Sequence, residues 1–449
     1  MKIHELKNKL KKELNYTTQK RLNKKDKIEK KDPIIIGVTG SRGKSSVAYM
    51  LHYYLKKQGY DSILYSSIEI DSETSFAKKH FAVDNPIKSK KSLLSAVEQS
   101  IEQNVDFLIL EVNERAINLG IIDDIEFDIR VLTNIIEKQN EFFYPNYVDI
   151  KKSFLLNAKS NEKLIYVVKD QFCKDLYDEL QNDNQFVIST PFLMEKYNLE
   201  KNRVRCILNS DQPFDSIEGV KFNVICDNEI NMFASNMMFP YSCFNIACVY
   251  GVLKALSLYD NKKFLDYISN LTIPGRDEKV KYNNRNVIIS VNLVPQLEEL
   301  IKYKKDNQVN NIIVVTGATG TGFKGWKKEF SEELINLDKV MSMKFAYNYI
   351  NKYADKVIIT STDVGSSNLD ELLNLQLNLL DNKIDKLVVK DRQTAIETAI
   401  LNSKENDIIF ISGRGNRSIL CHTKNNISFS KDIDIVTKIL KTLRKENLK

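Results

Sequence analysis

The sequence predicts an α/β protein with two mostly parallel sheets covered by helices. Buried-strand patterns recur along the chain, each followed by a polar turn or a helical pattern, and this alternation is typical of parallel strands joined by helical crossovers. A length of 449 residues predicts two or three domains with ample cores. The turn-forming sequence Pro274-Gly275-Arg276 divides the strand patterns into two series, so we expect the linker near residue 275.

The elements of the first series begin at residue 34. Further strands are predicted at 62–66, 107–110, 129–132 and 164–168. The pattern then changes to short alternating segments between about 186 and 240, including 204–208 and 220–226, which predict a small antiparallel patch. A helix is expected over 242–258. The second series predicts strands at 287–291, 312–316, 356–360, 386–389 and 408–412. The expected units are an extension of residues 1–32, a central domain of 33–275 and a C-terminal domain of 276–449.

Composition excludes several classes of protein. Hydrophobic residues make up 43% of the chain, as in a globular protein. No apolar run approaches the length of a membrane span, about 20 residues, and the N-terminus is too charged for a secretory signal. The six cysteines contain no C-x-x-C pair, so neither a disulfide framework nor a zinc ribbon is indicated. We therefore expect a cytoplasmic protein with reduced cysteines.

The net charge of +7 comes from the N-terminus. Residues 1–32 carry 12 Lys and Arg against 5 Asp and Glu, which leaves the other residues balanced. A basic tail can bind nucleic acid or an anionic membrane, yet here acids are interleaved with the bases and Tyr16 is the one aromatic residue. This pattern favours a solvated helical or frayed extension, with no nucleic-acid partner.

Residues 34–46 run from a buried strand into a glycine-rich turn, a lysine and two hydroxyls at a predicted helix start. Gly40 and Gly43 would let backbone N–H groups point at phosphate oxygens, aided by the positive end of the helix dipole. Lys44 would reach the β and γ phosphates, and Ser45 would offer its hydroxyl to magnesium. The pattern therefore predicts a nucleotide phosphate site.

The spacing of this loop departs from the common pattern. G-x-x-x-x-G-K-[ST] requires glycine at 38, where this chain has Val38, and Gly37 lies one residue early. The alternative interpretation is a glycine-rich turn between strand and helix that binds no ligand.

The segment from Gly37 to Ser45, including the early glycine, resembles the phosphate loop of the Mur ligase superfamily. Further segments follow in that family's order over about residues 34–420, and they are Leu110-Glu111-Val112, Leu132-Thr133-Asn134, Phe244-Asn245, Ile273-Pro274-Gly275-Arg276, Asp391-Arg392 and Gly413-Arg414-Gly415. The resemblance implies a central P-loop ATPase domain with a mostly parallel sheet and a C-terminal Rossmann-like domain. It also implies an ATP-dependent ligase that joins a carboxylate to an amine through an acyl phosphate, with ATP and Mg²⁺ as cofactors.

The resemblance also implies roles for individual residues. The implied catalytic residues are Lys44, Glu111, Lys152 and Arg276, and the implied magnesium ligands are Ser45 and Glu111. The implied ATP-binding residues are Thr39, Gly40, Ser41, Arg42, Gly43, Lys44, Ser45, Ser46, Asn245 and Arg276.

Each of these roles has a simpler alternative. Glu111 could be a solvated strand-end glutamate, Arg276 a surface arginine and Asn245 a helix N-cap. Lys152 resembles the lysine that many family members carbamylate to hold a second magnesium, although Lys151 competes for the register.

Departures from the family pattern affect the acceptor site most. The family's D-H-x-D and D-Y-A-H-T-P segments correspond here to residues 138–141 and 290–295, which contain no histidine. The D-N-P-R motif of diaminopimelate-adding enzymes is replaced by Thr362-Asp363-Val364-Gly365. A diaminopimelate acceptor should therefore not be assumed. Arg414 and Arg417 are expected to bind an acidic group on the acceptor, since guanidinium groups form paired hydrogen bonds with carboxylates. The glycine cluster 317–322 is not interpreted as a dinucleotide site, and Lys327 beyond it could face nucleotide or solvent.

About 33 residues precede the loop, too few for the N-terminal domain that holds the nucleotide sugar in UDP-sugar ligases. Relatives without that domain include the ligase subunit of lipid II isoglutaminyl synthase and the poly-γ-glutamate and folylpolyglutamate synthases. The leading hypothesis is a Mur-type ligase in peptidoglycan-precursor or related peptide synthesis, acting on small-molecule or peptide substrates. A glutamate or poly-γ-glutamate ligase, and an ATP-binding partner or regulatory protein that has lost ligation, are the alternatives. A partner protein is possible in each case.

Overall fold

The computed structural model describes most of the chain outside its N-terminus. The described ranges are 32–71, 86–87, 89–136, 143–180, 182–209, 217–317, 319–320, 330–421 and 426–446. Several sequence predictions lie outside these residues, namely those for the extension up to residue 31, the segment 138–141 and Lys327.

The first sheet contains ten strands. They are β1 (Ile34–Thr39), β2 (Ser62–Tyr65), β3 (Ile70–Asp71), β4 (Phe107–Glu111), β5 (Ile129–Leu132), β6 (Lys163–Val167), β7 (Gln185–Ser189), β8 (Val204–Asn209), β9 (Val220–Cys226) and β10 (Glu229–Ser235). Their order across the sheet is β10-β9-β8-β7-β6-β5-β1-β4-β2-β3. The seven strands from β8 to β2 in that order are parallel, with β1 between β5 and β4. The carboxyl ends of β1, β4 and β5 therefore meet at one edge, where ligands bind in such sheets.

Helices cover both faces of this sheet. They are α1 (Lys44–Lys57), α2 (Lys90–Glu102), α3 (Glu114–Asn118), α4 (Tyr147–Leu156), α5 (Gln171–Glu179), α6 (Pro191–Lys196), α7 (Tyr241–Ala255) and α8 (Asn261–Ser269). Helices α1, α7 and α8 contribute to one buried apolar cluster, and α2, α4 and α5 contribute to the cluster on the other face. Burial on both faces explains why the strand patterns are almost continuously apolar.

The predicted antiparallel patch is part of the main sheet. Strand β9 pairs antiparallel with both β8 and β10, as the alternating pattern indicated. However, β8 also pairs in parallel with β7, so these strands extend the parallel sheet and do not form a separate unit. The sequence could not show this pairing because it depends on hydrogen bonds between strands.

The second sheet contains β11 (Glu278–Tyr282), β12 (Arg285–Ser290), β13 (Ile312–Thr316), β14 (Lys356–Ile359), β15 (Asp385–Val388) and β16 (Ile408–Ser412). Its order is β11-β12-β16-β13-β14-β15, and β11 and β12 are its antiparallel pair. Strand β11 was not predicted. Asn283 and Asn284 join it to β12 with φ angles of 42° and 57°, the left-handed conformation of a tight two-residue hairpin.

The remaining elements belong to the second half of the chain. They are α9 (Val294–Asp306), α10 (Glu332–Tyr353), α11 (Leu369–Asn378), α12 (Arg392–Leu401), the short pair β17 (Ile419–Cys421) and β18 (Asn426–Ser428), and α13 (Asp432–Glu446). None of the helices in the described part of the chain has both the length and the apolarity that a membrane crossing requires.

The turn at residues 274–276 lies between the two sheets. Gly275 has a φ of +70°, and a Cβ at this position would lie 2.4 Å from the backbone N of Asn416. Apolar residues before the turn also pack into the core under the second sheet, among them Met238 and Phe239. The two sheets are therefore joined by a buried interface as well as by the chain, and the domain limits at 275 and 276 stay a prediction.

Candidate active site

Strand β1 ends at Thr39 and helix α1 begins at Lys44, so residues 40–43 form the loop at the helix start. Gly40 has a φ of +141° and Gly43 a φ of +85°. A Cβ would lie 2.1 Å from Thr133 Oγ1 at Gly40 and 2.3 Å from Asn245 Oδ1 at Gly43. Glycine is thus required at both positions, as in a loop that must approach phosphate closely.

Asn134, which follows β5, holds the loop in this shape. Its backbone oxygen accepts from Ser41 N at 2.9 Å, and its side-chain Oδ1 accepts from Arg42 N at 3.1 Å. Its Nδ2 donates to Arg42 O at 2.9 Å. The Thr-Asn element found in the sequence therefore fixes the loop conformation from the neighbouring strand.

Gly37 has a different role from the loop glycines. It lies within β1, and a Cβ there would be 2.6 Å from a ring carbon of Phe127 and 2.8 Å from one of Phe154. These rings belong to the core on one face of the sheet. The early glycine of the sequence therefore serves packing beside β1, and Gly40 and Gly43 shape the loop.

Glu111 ends β4 and faces the start of α1. Its Oε1 accepts from Ser45 Oγ at 3.0 Å, and its Oε2 accepts from Ser66 Oγ at 2.8 Å and from Ser67 N at 2.7 Å. Glu111 is buried. The alternative of a solvated strand-end glutamate is therefore wrong. Ser66 and Ser67 were not predicted, although a hydroxyl pair directly after a buried strand was visible in the sequence.

Arg276 reaches this cluster from the junction between the two sheets. Its Nη2 lies 3.4 Å from both Ser45 Oγ and Ser67 Oγ. Burial lowers the pKa of the Arg276 guanidinium, and the nearby Glu111 carboxylate opposes that shift. Arg276 is therefore a partly buried cation at the end of the phosphate loop and not a surface arginine.

The residues present fit a nucleotide and a magnesium ion. Ser45 and Glu111 offer hydroxyl and carboxylate oxygens, the ligands that Mg²⁺ prefers, and the ion needs few protein ligands because it keeps water and phosphate oxygens. Lys44 Nζ lies over the loop, 2.8 Å from Gly40 O. A cationic lysine and the backbone N–H groups of a glycine-rich loop are the hydrogen-bond donors that bind a nucleotide phosphate.

A cleft of about 780 Å³ opens from the loop towards the second sheet. The predicted residues that line it are 41–46, Glu111, Asn245 and Arg276. Asn245 lies inside α7, whose N-cap is Pro240, so its interpretation as a helix N-cap is wrong. It contacts Gly43 instead. The volume is within the range of ligand clefts.

Lys169 is a further residue of this cleft that the sequence did not reveal. Its Nζ lies 5.2 Å from the centroid of the Phe244 ring, a cation–π distance. Burial lowers the pKa of Lys169, and Asp170 opposes that shift. Its position two residues after β6 was the available signal, since strand ends line such clefts.

The structure corrects the choice of Lys152. Its Nζ lies 2.8 Å from Glu179 Oε1 on α5, away from the loop. Lys151 Nζ lies 3.2 Å from Thr39 Oγ1 and 3.1 Å from Glu114 Oε2. Adjacent residues of an α-helix point in directions about 100° apart, so one of the two lysines can face the loop and the other cannot. The residue behind the phosphate loop is Lys151.

The two predicted acceptor arginines lie in the loop after β16. Arg417 Nη1 donates to Asp363 Oδ2 at 2.7 Å. Arg414 is buried, with its guanidinium 4.5 Å from the centroid of the Phe429 ring, and its Nη2 donates to Arg417 O at 3.2 Å. In the same loop, Asn416 Nδ2 donates to Ile68 O of the first domain at 3.2 Å. This loop therefore borders the junction between the domains.

The fold and this cleft define the class of protein, a nucleotide-binding α/β protein with a phosphate loop. The loop is accompanied by a carboxylate–hydroxyl pair that suits a divalent cation. An arginine reaches the same place from the junction with a second α/β domain. Residues 38–247 match the family model of the Mur ligase middle domain. This part of the chain is therefore a Mur ligase middle domain, and the curated proteins that the chain resembles are ligases.

Individual relatives agree with this assignment. The chain is 23% identical over 390 residues to the UDP-N-acetylmuramoyl-L-alanyl-D-glutamate--2,6-diaminopimelate ligase of Fusobacterium nucleatum, covering 86% of this chain and 73% of that protein. The MurF ligase of Thermotoga maritima in complex with ADP has a TM-score of 0.58 at 15% identity, over 92% of this chain and 81% of that one. The folylpolyglutamate synthase of T. maritima has a TM-score of 0.56 at 15% identity, over 86% of each chain. The two structural comparisons concern the fold.

Proposed function

We propose that the protein joins the carboxylate of a peptide or amino-acid donor to an amine, using ATP and releasing ADP and phosphate. The observation that carries the proposal is the convergence of Ser45, Glu111 and Arg276 at the end of the phosphate loop. These three residues come from a helix start, a strand end and the domain junction. Such a site can neutralise and align the groups of a phosphoryl transfer, which needs little covalent chemistry from the protein.

In the proposed reaction the donor carboxylate attacks the γ-phosphate and displaces ADP, and the amine then attacks the acyl phosphate and displaces phosphate. Lys44 and Arg276 hold positive charge where the phosphates develop negative charge. Gly40 and Gly43 let the loop backbone come close to the phosphates. Magnesium, when bound by Ser45 and Glu111, supplies additional charge neutralisation. Asn245 and Lys169 border the part of the cleft beyond the loop, where the remainder of the nucleotide is expected.

The proposed pathway is the cytoplasmic synthesis of a peptidoglycan precursor or a related peptide. The similarity to a ligase that acts on a UDP-N-acetylmuramoyl peptide supports it. The similarity does not identify the acceptor amine. Asp363 belongs to the segment 362–365 that replaces the family's D-N-P-R motif, and it pairs with Arg417, one of the two predicted acceptor arginines. We place the acceptor near Arg414 and Arg417 and assign no diaminopimelate specificity. A partner protein stays a prediction.

Phosphate release from Mg-ATP by the purified protein tests the proposal. Candidate amines are screened with UDP-N-acetylmuramoyl peptides, lipid-linked precursors or glutamate peptides as donors. Release that requires one donor and one amine together is the expected result, and a glutamate-peptide donor would select the poly-γ-glutamate alternative. ATP binding without substrate-stimulated release would contradict ligation and favour the regulatory alternative.

Two lysines of the same helix provide a matched pair of variants. Lys44→Ala removes the cation over the loop and is expected to lower the rate by about 100-fold or more, the order seen when one charge-stabilising group is lost. Lys57→Ala removes an exposed pair with Asp266 at the other end of α1 and should leave the rate unchanged. Equal rates in the two variants would overturn the assignment of the loop.

A further inference from the structure

A buried lysine lies directly behind the phosphate loop. The Lys151 side chain has 0% exposure, and its Nζ is 3.1 Å from Glu114 Oε2 and 3.2 Å from Thr39 Oγ1. The Tyr147 ring centroid lies 5.5 Å from the same Nζ. Thr39 Oγ1 donates in turn to Val112 O at 2.8 Å. One ammonium group thus connects α4, the end of β1 and the start of α3.

These contacts stabilise a protonated Lys151 side chain and would repel the negative charge of a carbamylated one. Carbamylation requires a neutral amine, whose nitrogen bonds to the carbon of CO₂ while a proton leaves, and the product is an anion. An opposite charge at 3.1 Å favours the protonated amine. A carbamate on Lys151 would instead put a second negative charge beside Glu114. The residues present therefore do not fit the carbamylated lysine and second magnesium that the family resemblance implied.

Two further observations agree with this conclusion. The segment 138–141, which corresponds to the family's histidine-containing stretch, reads Lys-Gln-Asn-Glu. Across the described ranges, no group of three or more His, Cys, Asp or Glu side chains is arranged to hold a metal ion. The Ser45–Glu111 pair is compatible with a single Mg²⁺, because this ion is commonly held by one or two protein groups together with phosphates and water.

We infer that Lys151 functions as an unmodified ammonium paired with Glu114, and that the phosphate site uses one divalent cation. Lys151 is then a positioning residue. Its charge holds the strand end from which the loop departs and the turn that follows Glu111. The role in catalysis rests on the proposed ligase function, whereas the chemical state of Lys151 does not depend on it.

The direct test is chemical trapping on the folded wild-type protein. The protein is incubated with ¹³C-bicarbonate, examined by ¹³C NMR, and treated with triethyloxonium to convert any carbamate into a stable ester before peptide mass mapping. We expect no carbamate signal and no adduct on Lys151. A stoichiometric adduct on Lys151 would overturn the inference. This measurement needs no turnover, so it stays decisive if the ligase proposal fails.

Manganese stoichiometry provides a second test. Mn²⁺ is titrated into the protein saturated with ADP, and bound metal is measured by electron paramagnetic resonance. We expect one Mn²⁺ ion bound per chain, and we expect Glu111→Gln to abolish its binding. Two sites per chain in the wild type, with one of them lost in Lys151→Gln, would contradict the inference.

Substitutions separate a charge role from a carbamate role. Lys151→Arg keeps the cation but cannot be carbamylated, and we expect it to lose less than about tenfold in kcat/KM. Lys151→Gln leaves Glu114 without this partner and is expected to lose about 100-fold or more, as when one member of a buried pair is removed. Lys152→Arg and Lys152→Gln are the matched controls and should both resemble the wild type. Equal losses in the two folded Lys151 variants, restored by added acetate, would indicate a carbamate.

Discussion

Replacing Gly43 by alanine tests the geometry of the phosphate loop. Gly43 has a φ of +85°, and an added Cβ would lie 2.3 Å from Asn245 Oδ1. The left-handed conformation alone costs a non-glycine residue about 1–2 kcal/mol. Moving the buried Asn245 adds a packing penalty of about 1–3 kcal/mol. We therefore expect Gly43→Ala to lower the free energy of unfolding by about 2–5 kcal/mol and to weaken ATP binding, because the loop must change shape to accept the methyl group.

Gly59 provides the matched control. It follows the other end of α1 with a φ of +87°, and an added Cβ would have no atom within 4 Å. Gly59→Ala should therefore show the backbone cost alone, about 1–2 kcal/mol, with unchanged nucleotide affinity. The assays are denaturant unfolding and ADP titration calorimetry on both variants. Shortening the clashing side chain in Gly43→Ala/Asn245→Ala should recover part of the lost stability. Equal losses of stability and affinity in the two single variants would refute the reasoning.

Three further predictions concern the junction and the first strand. Arg276→Lys keeps one cation but loses the fork that reaches Ser45, so kcat/KM measured by phosphate release should fall about 10- to 100-fold; an unchanged value would contradict the role of the guanidinium. Burial raises the pKa of Asp277, so the folded state becomes less stable as the pH rises above the ordinary carboxyl range. Asp277→Asn should therefore raise Tm relative to the wild type at pH 7 and not at pH 4, and a pH-independent difference would argue against this cause. Gly37→Ala would place a Cβ 2.6 Å from Phe127 and should lower Tm without changing nucleotide affinity; a selective loss of affinity would place Gly37 in the site.

The sequence was sufficient to predict the site residues that lie at the end of a strand. The glycines of the loop follow β1 directly, and Glu111 is the last residue of β4. Parallel strands end at the same edge of a sheet, so the apolar runs alone place such residues together. Arg276 was identified through the resemblance of residues 273–276 to the family's domain junction. Its contact with Ser45 depends on how the two domains pack, which the sequence did not determine.

The choice between Lys151 and Lys152 required the structure for a different reason. The two lysines are adjacent in α4, and the helical pattern does not fix the phase of the helix to within one residue. Packing of Phe154 and Leu155 into the core sets that phase. Lys169 was missed although it follows β6, because its contact with the Phe244 ring on α7, far along the chain, is visible only in the structure. The parallel pairing of β7 and β8 was missed for the same reason.

The junction turn connects the position of the second domain to the charge at the phosphate site. Arg276 points to Ser45, while its neighbour Asp277 accepts from Tyr241 Oη at 2.6 Å and from Gln296 Nε2 at 2.9 Å. Asp277 has a φ of +56°, a left-handed conformation that aspartate adopts more often than most residues. A rotation of the second domain that moved Gln296 would disturb Asp277 and, through the backbone, the direction of Arg276. We therefore expect the arrangement of the two domains to affect the positive charge that Arg276 brings to the phosphate site.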